Sequence, residues 1–285
     1  MSAELVIRAM RRAELDTLVE WAAGEGWNPG LHDADVFWSC DPQGFIAAEI
    51  GGELIGGGSI VAYPGGFGFM GFFIVRPEHR GQGLGRRLWF HRRDRLRARL
   101  GEPATIGMDG VFTMQAFYAS GGFVFSHRDL RFEGVGSHGS TAAGLVDARS
   151  LPFEDLLAYD GAHFPAPRAR FLRAWIAQPG SRALAATGPD GLRGYGVIRT
   201  CRQGYKIGPL FAADEDVAES LFGGLADQAA GAPLYLDVPE NNPGAMALAA
   251  RHGMREVFGC ARMYLGPPPR LPKDEIFGVT TFELG

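Results

Sequence analysis

The chain has 285 residues, of which 46% are hydrophobic and 21% are charged, and its formal net charge is −4. This composition is that of a folded globular chain and excludes extended disorder, while the length predicts two domains, since one domain usually takes about 150 residues. The mildly acidic balance excludes an overall field that would recruit nucleic acid or an anionic membrane.

The cysteines and the N-terminal residues indicate the cellular compartment of the protein. Cys40, Cys201 and Cys260 are widely spaced and form no C-x-x-C pair, so we expect neither a metal site nor a disulfide framework. The first residues hold too short an apolar run for a signal peptide, and no stretch is long and apolar enough to span a membrane. These features predict a cytoplasmic protein without a membrane partner.

The first 75 residues predict one helix and four strands. Apolar periodicity places a helix at 12–23 and strands at 5–9, 45–50, 54–63 and 67–75. Gly51-Gly52 suits a tight turn, so we expect the last three strands to form an antiparallel meander. The turn-rich segment 25–35, EGWNPGLHDAD, reads as a capping loop with Asp33 or Asp35 as the N-cap of a helix.

The stretch 67–88 combines a buried strand, a glycine loop at 81–85 and the start of an arginine-rich helix. The first amides of a helix lack partners and carry partial positive charge, so this loop suits a phosphate group, with Arg80, Arg86 and Arg87 adding charge. A dinucleotide fingerprint would need glycine in place of Arg86, and no G-K-[ST] triplet occurs. Dinucleotides and nucleoside triphosphates are therefore disfavoured.

The hexapeptide RGQGLG, residues 80–85, matches the [QR]-x-x-G-x-[GA] signature of the GNAT superfamily of N-acyltransferases. With the V-x-P-x-x-R-G-x-G-x-G frame of residues 75–85, set between a strand and a helix, the chain resembles that family. The resemblance implies acetyl-CoA as co-substrate, with a backbone N–H near Phe73 or Ile74 polarising the thioester carbonyl. It implies a coenzyme site made of loop amides for the pyrophosphate and a strand end for the pantetheine arm: Phe73, Ile74, Val75, Arg80, Gly81, Gln82, Gly83, Leu84, Gly85 and Arg86.

Residues 104–133 predict a strand at 104–109, a helix at 113–120 and a strand at 123–133. The fragment FYASGGF, residues 117–123, resembles the F-Y-x-x-x-G-F close of the GNAT core, which singles out Tyr118. The resemblance implies that Tyr118 protonates the leaving thiolate of coenzyme A, a role suited to a hydroxyl with a pKa near ~10. The alternative is a half-buried helix tyrosine whose hydroxyl bonds to backbone.

The small polar run GVGSHGS, 134–140, reads as a linker, and the order of elements repeats after it. The second half predicts helices at 153–159, 168–177 and 245–252 and strands at 145–147, 182–187, 194–200, 205–211 and 234–238. We therefore expect an α/β fold of two GNAT-like domains, 1–134 and 139–285, each a twisted, mostly antiparallel sheet flanked by helices. A tail at 266–285 would add a strand to a sheet edge or cover the interdomain cleft.

The second domain reads as a degenerate copy. Aligning the glycines that end the last helix of each half gives an offset of 131, which sets Ala249 opposite Tyr118. The segment AADEDVAESLFGG, after the strand at 205–211, is acidic and has no G-x-G, so it would repel a diphosphate. We expect one acetyl-CoA site per chain, with the second domain shaping the acceptor pocket.

The sequence does not identify the general base or the acceptor. Many GNAT enzymes carry a glutamate on the central strand, but residues 67–75 hold no ionisable side chain. Candidate bases are His32, Glu49, His79, Asp109, His163 and Asp237, and the alternative is a water chain to solvent. By resemblance the loop after the first helix borders the acceptor, which gives a substrate-side set of Trp27, Asn28, Asp33 and Asp109. An ammonium group would suit Asp33, Asp35 and Asp237, whereas a carboxylate would suit Arg168 and Lys206.

These features predict an N-acetyltransferase that moves an acetyl group directly from acetyl-CoA to the amine of a small molecule, amino acid or peptide, as a monomer or homodimer. The alternative is a non-catalytic acyl-CoA-binding sensor or interaction module that kept the loop and lost the base. A nucleic-acid partner for the seven arginines between residues 86 and 99 is disfavoured, because few aromatic side chains are interleaved with them.

Overall fold

The computed structural model describes residues 4–137 and 144–285, so the expected linker and the expected domain start at 139 lie partly outside the described residues. The first half contains β1 Leu5–Ala9, α1 Arg12–Gly24, α2 Asp33–Cys40, β2 Phe45–Ile50, β3 Glu53–Ser59, β4 Val61–Tyr63, β5 Phe67–Met70, β6 Ile74–Val75, α3 Leu84–Leu100, β7 Thr105–Val111, α4 Gln115–Ser120 and β8 Val124–Val135. The second half contains β9 Leu145–Asp147, α5 Phe153–His163, α6 Ala169–Ala177, β10 Arg182–Gly188, β11 Gly191–Thr200, β12 Tyr205–Ala212, α7 Glu215–Ala226, β13 Pro233–Pro239, α8 Pro243–Arg251, β14 Arg255–Leu265 and β15 Ile276–Gly278.

Most predicted elements are confirmed to within a few residues, but the segment 25–35 is not only a capping loop. It leads into α2, the helix that such a loop would cap, and the N-cap of that helix is His32. Asp33 and Asp35 lie inside the first turn, so the prediction that one of them is the cap was wrong. Their carboxylates still favour that end of the helix, since the macrodipole is positive there.

The expected meander is wrong in its last strand. β2 pairs antiparallel with β3, but β5 pairs antiparallel with β4 and parallel with β7, and β6 returns to pair with β3. The predicted strand at 67–75 is interrupted at 71–73, where Phe72 has a positive φ of 51°. That turn places the Phe72 ring in the core, 5.7 Å from the ring of Phe37, and redirects the chain from one sheet to the other.

Two sheets make up the fold, and the larger one joins both halves. The smaller sheet has the order β1-β2-β3-β6, and the larger runs β4-β5-β7-β14-β8-β13-β12-β11-β10-β9, with β15 against β12. At its centre the halves exchange their last strands: β14 lies between β7 and β8, and β8 pairs with β13. The fold is the expected α/β class with mixed sheets flanked by helices, and the exchange makes the halves share one sheet.

Each half diverges at the same point of its sheet. β5 runs parallel to β7, and β12 runs parallel to β13, before the two strands of each pair separate. In the second half β15 enters the opening: it pairs with β12, and Val279 just beyond it donates its N–H to the Asp237 carbonyl of β13 at 2.9 Å. The corresponding opening in the first half holds a cavity.

Residues 279–285, here called the inner segment, continue from β15 into the middle of the molecule and are all buried. Ser59 Oγ donates to the Glu283 carbonyl at 3.0 Å, and the Tyr63 hydroxyl donates to the Leu284 carbonyl at 2.9 Å. The tail thus adds a strand inside the larger sheet, between β12 and β13, and its inner segment fills the space between the halves.

The core and the ion pairs also cross between halves. One hydrophobic cluster includes residues of both, and Phe37 of α2 stacks on Trp175 of α6 at 6.1 Å. The buried carboxylate of Asp33 accepts from Arg199 Nε of β11 at 2.9 Å. No helix among the described residues has the length and apolar character needed to cross a membrane.

Candidate active site

The glycine loop presents the open N-terminus of α3 to a cavity. Gly81 and Gly83 have φ values of 75° and 78°, a conformation that glycine adopts at little cost, and a Cβ on either would meet nothing within 4 Å. Gly83 is the N-cap of α3, no side chain caps that end, and the first turn holds no acidic residue. The N–H groups of residues 84–86 therefore have no partner within the helix, since the first helical bond runs from Arg87 N to Gly83 O.

Cationic side chains stand beside this helix end. Arg80 lines the cavity, donates from Nε to the Val75 carbonyl at 2.7 Å and pairs with Glu25. Arg86 also lines it, and its guanidinium lies 4.7 Å from the centre of the Phe90 ring. An anion here would meet backbone amides, the helix dipole and two guanidinium groups.

The interrupted strand supplies backbone amides that face the same cavity. Arg76 N–H donates to the Ile55 carbonyl at 2.9 Å, and Ile74 pairs with Gly57 in the same ladder. Because N–H directions alternate along a strand, the amides of Phe73 and Val75 point away from β3, as does the Val75 carbonyl that Arg80 binds. The Ile74 amide is turned toward β3, so of the two donors expected only the Phe73 amide points away from that strand.

Two connected spaces form the candidate site. The outer cavity, of about 510 Å³, is lined by predicted coenzyme residues and their neighbours: Phe73, Ile74, Val75, Arg80, Gly81, Gly83, Gly85, Arg86, Met114 and Phe117 among them. The inner chamber is smaller, about 60 Å³, with polar side chains from Arg92, Asp109 and Glu283 in an otherwise largely apolar wall. Four residues line both spaces: Trp27, Phe73, Val111 and Tyr118.

Gln82 and Leu84 complete the predicted loop without lining the outer cavity. Gln82 is exposed, and its side chain donates to the Glu78 carbonyl at 3.0 Å. Leu84 is the first residue of α3 and packs against the core cluster beneath it. Their backbone amides remain part of the loop.

Tyr118 stands at the junction of the two spaces. Gly110 gives its ring room, because a Cβ there would lie 2.2 Å from Tyr118 Cε2, and the ring stacks on Trp89 at 5.9 Å. Burial raises the pKa of Tyr118 to about 12, with the Cys260 thiol adding to the shift and Arg92 opposing it. The hydroxyl therefore keeps its proton at neutral pH and can donate it into either space.

A polar cluster joins the interrupted strand to the inner segment. Arg92 is fully buried, and its Nη2 donates to the carbonyls of Ser59 and Gly71, both at 2.6 Å. Gly71 N–H donates in turn to Ser59 Oγ at 2.9 Å, the same hydroxyl that binds the Glu283 carbonyl. Burial lowers the pKa of Arg92 to about 9, which still leaves it cationic at neutral pH.

Glu283 is the functional candidate that sequence reasoning missed. Glu283 lines the inner chamber and is 3% exposed, and its carboxylate accepts from the Thr281 hydroxyl. It lies about 200 residues from the glycine loop in the chain, and only the path of the inner segment brings it there. The one available signal was a carboxylate within an apolar, extended tail, IFGVTTFEL.

Asp109 also lines the chamber, but its carboxylate is engaged. Arg262 donates to both of its oxygens, at 2.6 and 2.8 Å, and the same guanidinium lies 3.2 Å from Asp129. Burial, with the neighbouring Asp129 carboxylate adding to it, raises the pKa of Asp109 well above its usual range. Both oxygens of Asp109 are therefore already bound, which makes it a poor acceptor for a substrate proton.

The substrate-side set divides into two wall residues, Asp109 and Trp27, and two anchors, Asn28 and Asp33. Trp27 lines both spaces, and its carbonyl accepts from Arg131 Nη1 at 2.6 Å. Asn28 has a φ of 51° and exchanges hydrogen bonds with Gln203 of the second half. Asp33 lies in neither lining, and its oxygens accept from Arg199 and from Gly30 N–H, so both side chains hold the loop in place.

The other expected bases and charged groups lie outside both spaces. Asp237 is buried and paired with Arg131, while His163 is buried between the Tyr159 carbonyl and Glu275. Each of the remaining charged candidates is hydrogen-bonded to another part of the fold: Glu49 to Arg8, Asp35 to Arg12, Arg168 to Asp160, and Lys206 to the Asn28 carbonyl. His32 and His79 also lie in neither lining.

Within residues 144–285 two features oppose an equivalent anion site. The N-terminus of α7, which corresponds to α3, is capped by Asp214, whose side chain accepts from Val217 N–H at 2.9 Å, and its first turn is acidic. The opening between β12 and β13 is already filled by β15. Ala249 on α8 occupies the place of Tyr118 and is fully buried.

Comparison with known proteins identifies the same family in both halves of the chain. A model of the acetyltransferase (GNAT) family matches residues 10–123, and a second acetyltransferase (GNAT) domain model matches residues 156–278. The holothin acyltransferase of Pseudoalteromonas sp. (strain SANK 73390) is 30% identical over 268 residues, which are 93% of this chain and 90% of that protein.

Solved structures share the fold over nearly the whole chain. A putative acetyltransferase from Pyrococcus horikoshii has a TM-score of 0.83 and 23% identity, covering 99% of this chain and 96% of its own. A tandem GNAT protein from the clavulanic acid biosynthesis pathway has a TM-score of 0.63 and 17% identity, covering 93% and 100%.

Proposed function

The chain belongs to the GNAT family of acyltransferases, and we propose that it transfers an acetyl group from acetyl-CoA to the amine of a small molecule, amino acid or peptide end. One observation carries the proposal. The uncapped N-terminus of α3 lines a cavity of about 510 Å³, and the cavity leads past Tyr118 into the inner chamber. The loop glycines Gly81 and Gly83, which precede this helix end, have open space around their Cβ positions. A diphosphate fits the first part and an acyl thioester the second.

The residues present fit coenzyme A. The loop amides and Arg86 would hold the pyrophosphate, and the amides of Phe73 and Val75 would pair with the pantetheine arm, as an added strand would. In the second half β15 makes that kind of contact with β12. The opening of the first half is thus the right shape for an extended chain with amide groups.

The transfer uses groups at the junction. The amine nitrogen attacks the thioester carbon, the Phe73 N–H stabilises the oxygen that becomes negative, and the C–S bond then breaks. Tyr118 gives its proton to the sulfur as that bond breaks, which its raised pKa permits because the hydroxyl is protonated at working pH.

The size of the inner chamber favours a short acyl chain. Its volume of about 60 Å³ has room for roughly four to six water-sized groups, since each needs about 10–15 Å³. An acetyl group and the attacking nitrogen fill such a space. The relative is named for acyl transfer to holothin, and we propose for this chain an acceptor amine small enough to enter the inner chamber.

The second half is proposed to shape the acceptor side of the site. Its Lys206 binds the carbonyl of Asn28, and its Phe258 and Phe282 line the inner chamber. Because those contacts come from another part of the chain, acceptor choice can change without altering the coenzyme loop.

One assay tests the proposal. The protein is mixed with acetyl-CoA or octanoyl-CoA and a panel of primary amines, and free thiol is followed together with the thermal midpoint. We expect acetyl-CoA to raise the midpoint and to release thiol only with an amine present, and octanoyl-CoA to react far more slowly. Stabilisation without turnover on any amine would favour an acyl-CoA sensor. If acetyl-CoA neither raises the thermal midpoint nor releases thiol, the proposal is overturned.

A further inference from the structure

We infer that Glu283, carried into the inner chamber by the inner segment, accepts the proton of the acceptor amine. This inference rests on the proposed function, because it assigns the missing base of that reaction. The central strand has no carboxylate of its own, since residues 67–75 are apolar. The chain supplies one at the same place from the opposite end of the sequence.

The backbone of Glu283 is held against the interrupted strand. Its carbonyl accepts from Ser59 Oγ at 3.0 Å, and Ser59 is bound in turn by Gly71 N–H. A Cβ on Gly71 would lie 2.0 Å from the Glu283 carbonyl oxygen, so glycine is required for this contact. The carboxylate is thereby fixed relative to Phe73, two residues along the same strand and the expected donor to the thioester oxygen.

The carboxylate has capacity to take a proton. The Thr281 hydroxyl donates to one oxygen, Oε2, and within 4–137 and 144–285 no hydrogen-bond donor is found for Oε1. Asp109 on the opposite wall has both oxygens bound by Arg262. Of the two chamber carboxylates, Glu283 is therefore the one with an oxygen left for a substrate.

Cationic side chains lie near Glu283. Arg92 shares the chamber, and Arg131 and Arg199, from β8 and β11, lie close enough that the Glu283 charge acts on their own pKa values. The remaining titratable groups that face the chamber are Asp109, Tyr118 and Cys260. An entering ammonium group would be attracted to this carboxylate and would meet Tyr118, still protonated, at the junction.

The opening in the second half fixes the strand that precedes Glu283. β15 occupies the space between β12 and β13, and a Cβ on Gly208 would lie 2.6 Å from the Thr280 carbonyl. Three residues later the inner segment reaches Gly71 of the first half. The half that lost its coenzyme site thus holds the strand that positions the base for the half that kept it.

The proton and electron balance of the step is closed. An acceptor entering as an ammonium ion gives one proton to Glu283, and its nitrogen lone pair forms the bond to the thioester carbon. The electron pair of the C–S bond goes to sulfur, which takes the Tyr118 proton. The second nitrogen proton restores Tyr118 through solvent, and Glu283 releases its own proton to solvent, so each turnover yields an amide, a thiol and one proton.

The test compares Glu283→Gln with Glu275→Gln, an identical change at the start of the same tail, where the side chain is partly exposed and pairs with His163. For Glu283→Gln we expect kcat to fall about 10²–10⁴-fold, with the acetyl-CoA-induced thermal shift unchanged. Its kcat/KM should also keep rising with pH, because only the free amine can react, whereas the wild-type profile levels off earlier. Glu275→Gln should match the wild type.

The outcomes separate the two levels of inference. If the wild type turns over an amine and Glu283→Gln does so with the same rate and pH profile, the role of Glu283 is wrong and the proposed function stands. If the wild type releases no thiol with any amine, both fall. Should Glu283→Gln fail to fold, Glu283→Asp decides, because it keeps the charge but withdraws it from the chamber: we expect reduced kcat, and full activity would overturn the role.

Discussion

The carbonyl oxygen of Glu283 lies where a side chain on Gly71 would begin, 2.0 Å from the position of its Cβ. These residues come from opposite ends of the chain, yet Ser59 joins them through hydrogen bonds of 2.9 and 3.0 Å. The contact sits at the point where the predicted central strand is interrupted. The interruption therefore opens the coenzyme cavity and also seats the inner segment.

Gly71→Ala should destabilise the protein and reduce turnover. The new methyl group meets backbone that cannot rotate away, so we expect a loss of about 1–3 kcal/mol in the free energy of unfolding, measured in urea. Displacement of Glu283 should lower kcat while acetyl-CoA still binds. The control is Gly161→Ala, in the interior of α5 with nothing within 4 Å of the new Cβ, which should be neutral or slightly stabilising. Equal stability of both variants would contradict the contact.

Gly83→Glu should abolish acetyl-CoA binding. The substitution puts a side chain and a negative charge where the structure has open space before the amides of α3. Gly253→Glu is the matched control, because Gly253 also has a positive φ, 62°, and open space around its Cβ, but lies at the end of α8. Both should cost about 1 kcal/mol in backbone strain. Calorimetric titration with acetyl-CoA should show binding to the control alone, and retained binding by Gly83→Glu would mean that the loop does not hold the pyrophosphate.

Tyr118→Phe should lower kcat by about 10²-fold or more and leave the affinity for acetyl-CoA nearly unchanged. Burial raises the pKa of Tyr118 to about 12, above the ordinary value, so the proton needed by the leaving thiolate is present below that pH and lost only as the pH rises through it. Wild-type kcat should therefore not decline between pH 8 and about 10. Tyr159→Phe, which removes a hydroxyl that bonds the Arg193 carbonyl in the second half, is the control and should keep full activity.

The glycine loop was predictable because the features that determine it lie next to one another in the sequence. Glycines that need positive φ, an apolar strand and a helix start occupy neighbouring positions, so one window of sequence predicts the loop from Arg80 to Arg86. The decay of the second copy was also visible, since acidic residues replace the loop glycines. In the structure one of these acidic residues, Asp214, caps α7 by accepting a hydrogen bond from the Val217 N–H.

The rest depends on contacts between distant residues, which no window contains. The break at Phe72 results from the approach of Glu283 to Gly71 and from ring packing against Phe37. The exchange of β8 and β14 leaves each strand with the same residue pattern that it would have in its own half, so the sequence alone does not distinguish the two pairings. Asp33 carries the same carboxylate whether it faces a substrate or Arg199, and only the fold decides.

Asp33→Asn should weaken the junction of the two halves, because it leaves the buried Arg199 guanidinium without its counter-ion. We expect a loss of about 3–5 kcal/mol at pH 7, measured by urea unfolding. Although burial opposes it, Arg199 lowers the pKa of Asp33, so the carboxylate stabilises the fold above its unfolded pKa of about 3.9 and this contribution is lost as the pH falls through the lower folded value. The difference between variant and wild type should therefore shrink below about pH 4. Asp35→Asn, on the same helix but with a 75% exposed side chain paired to Arg12, should cost less than about 1 kcal/mol, and an equal loss in the two variants would show that the buried pair does not hold the halves together.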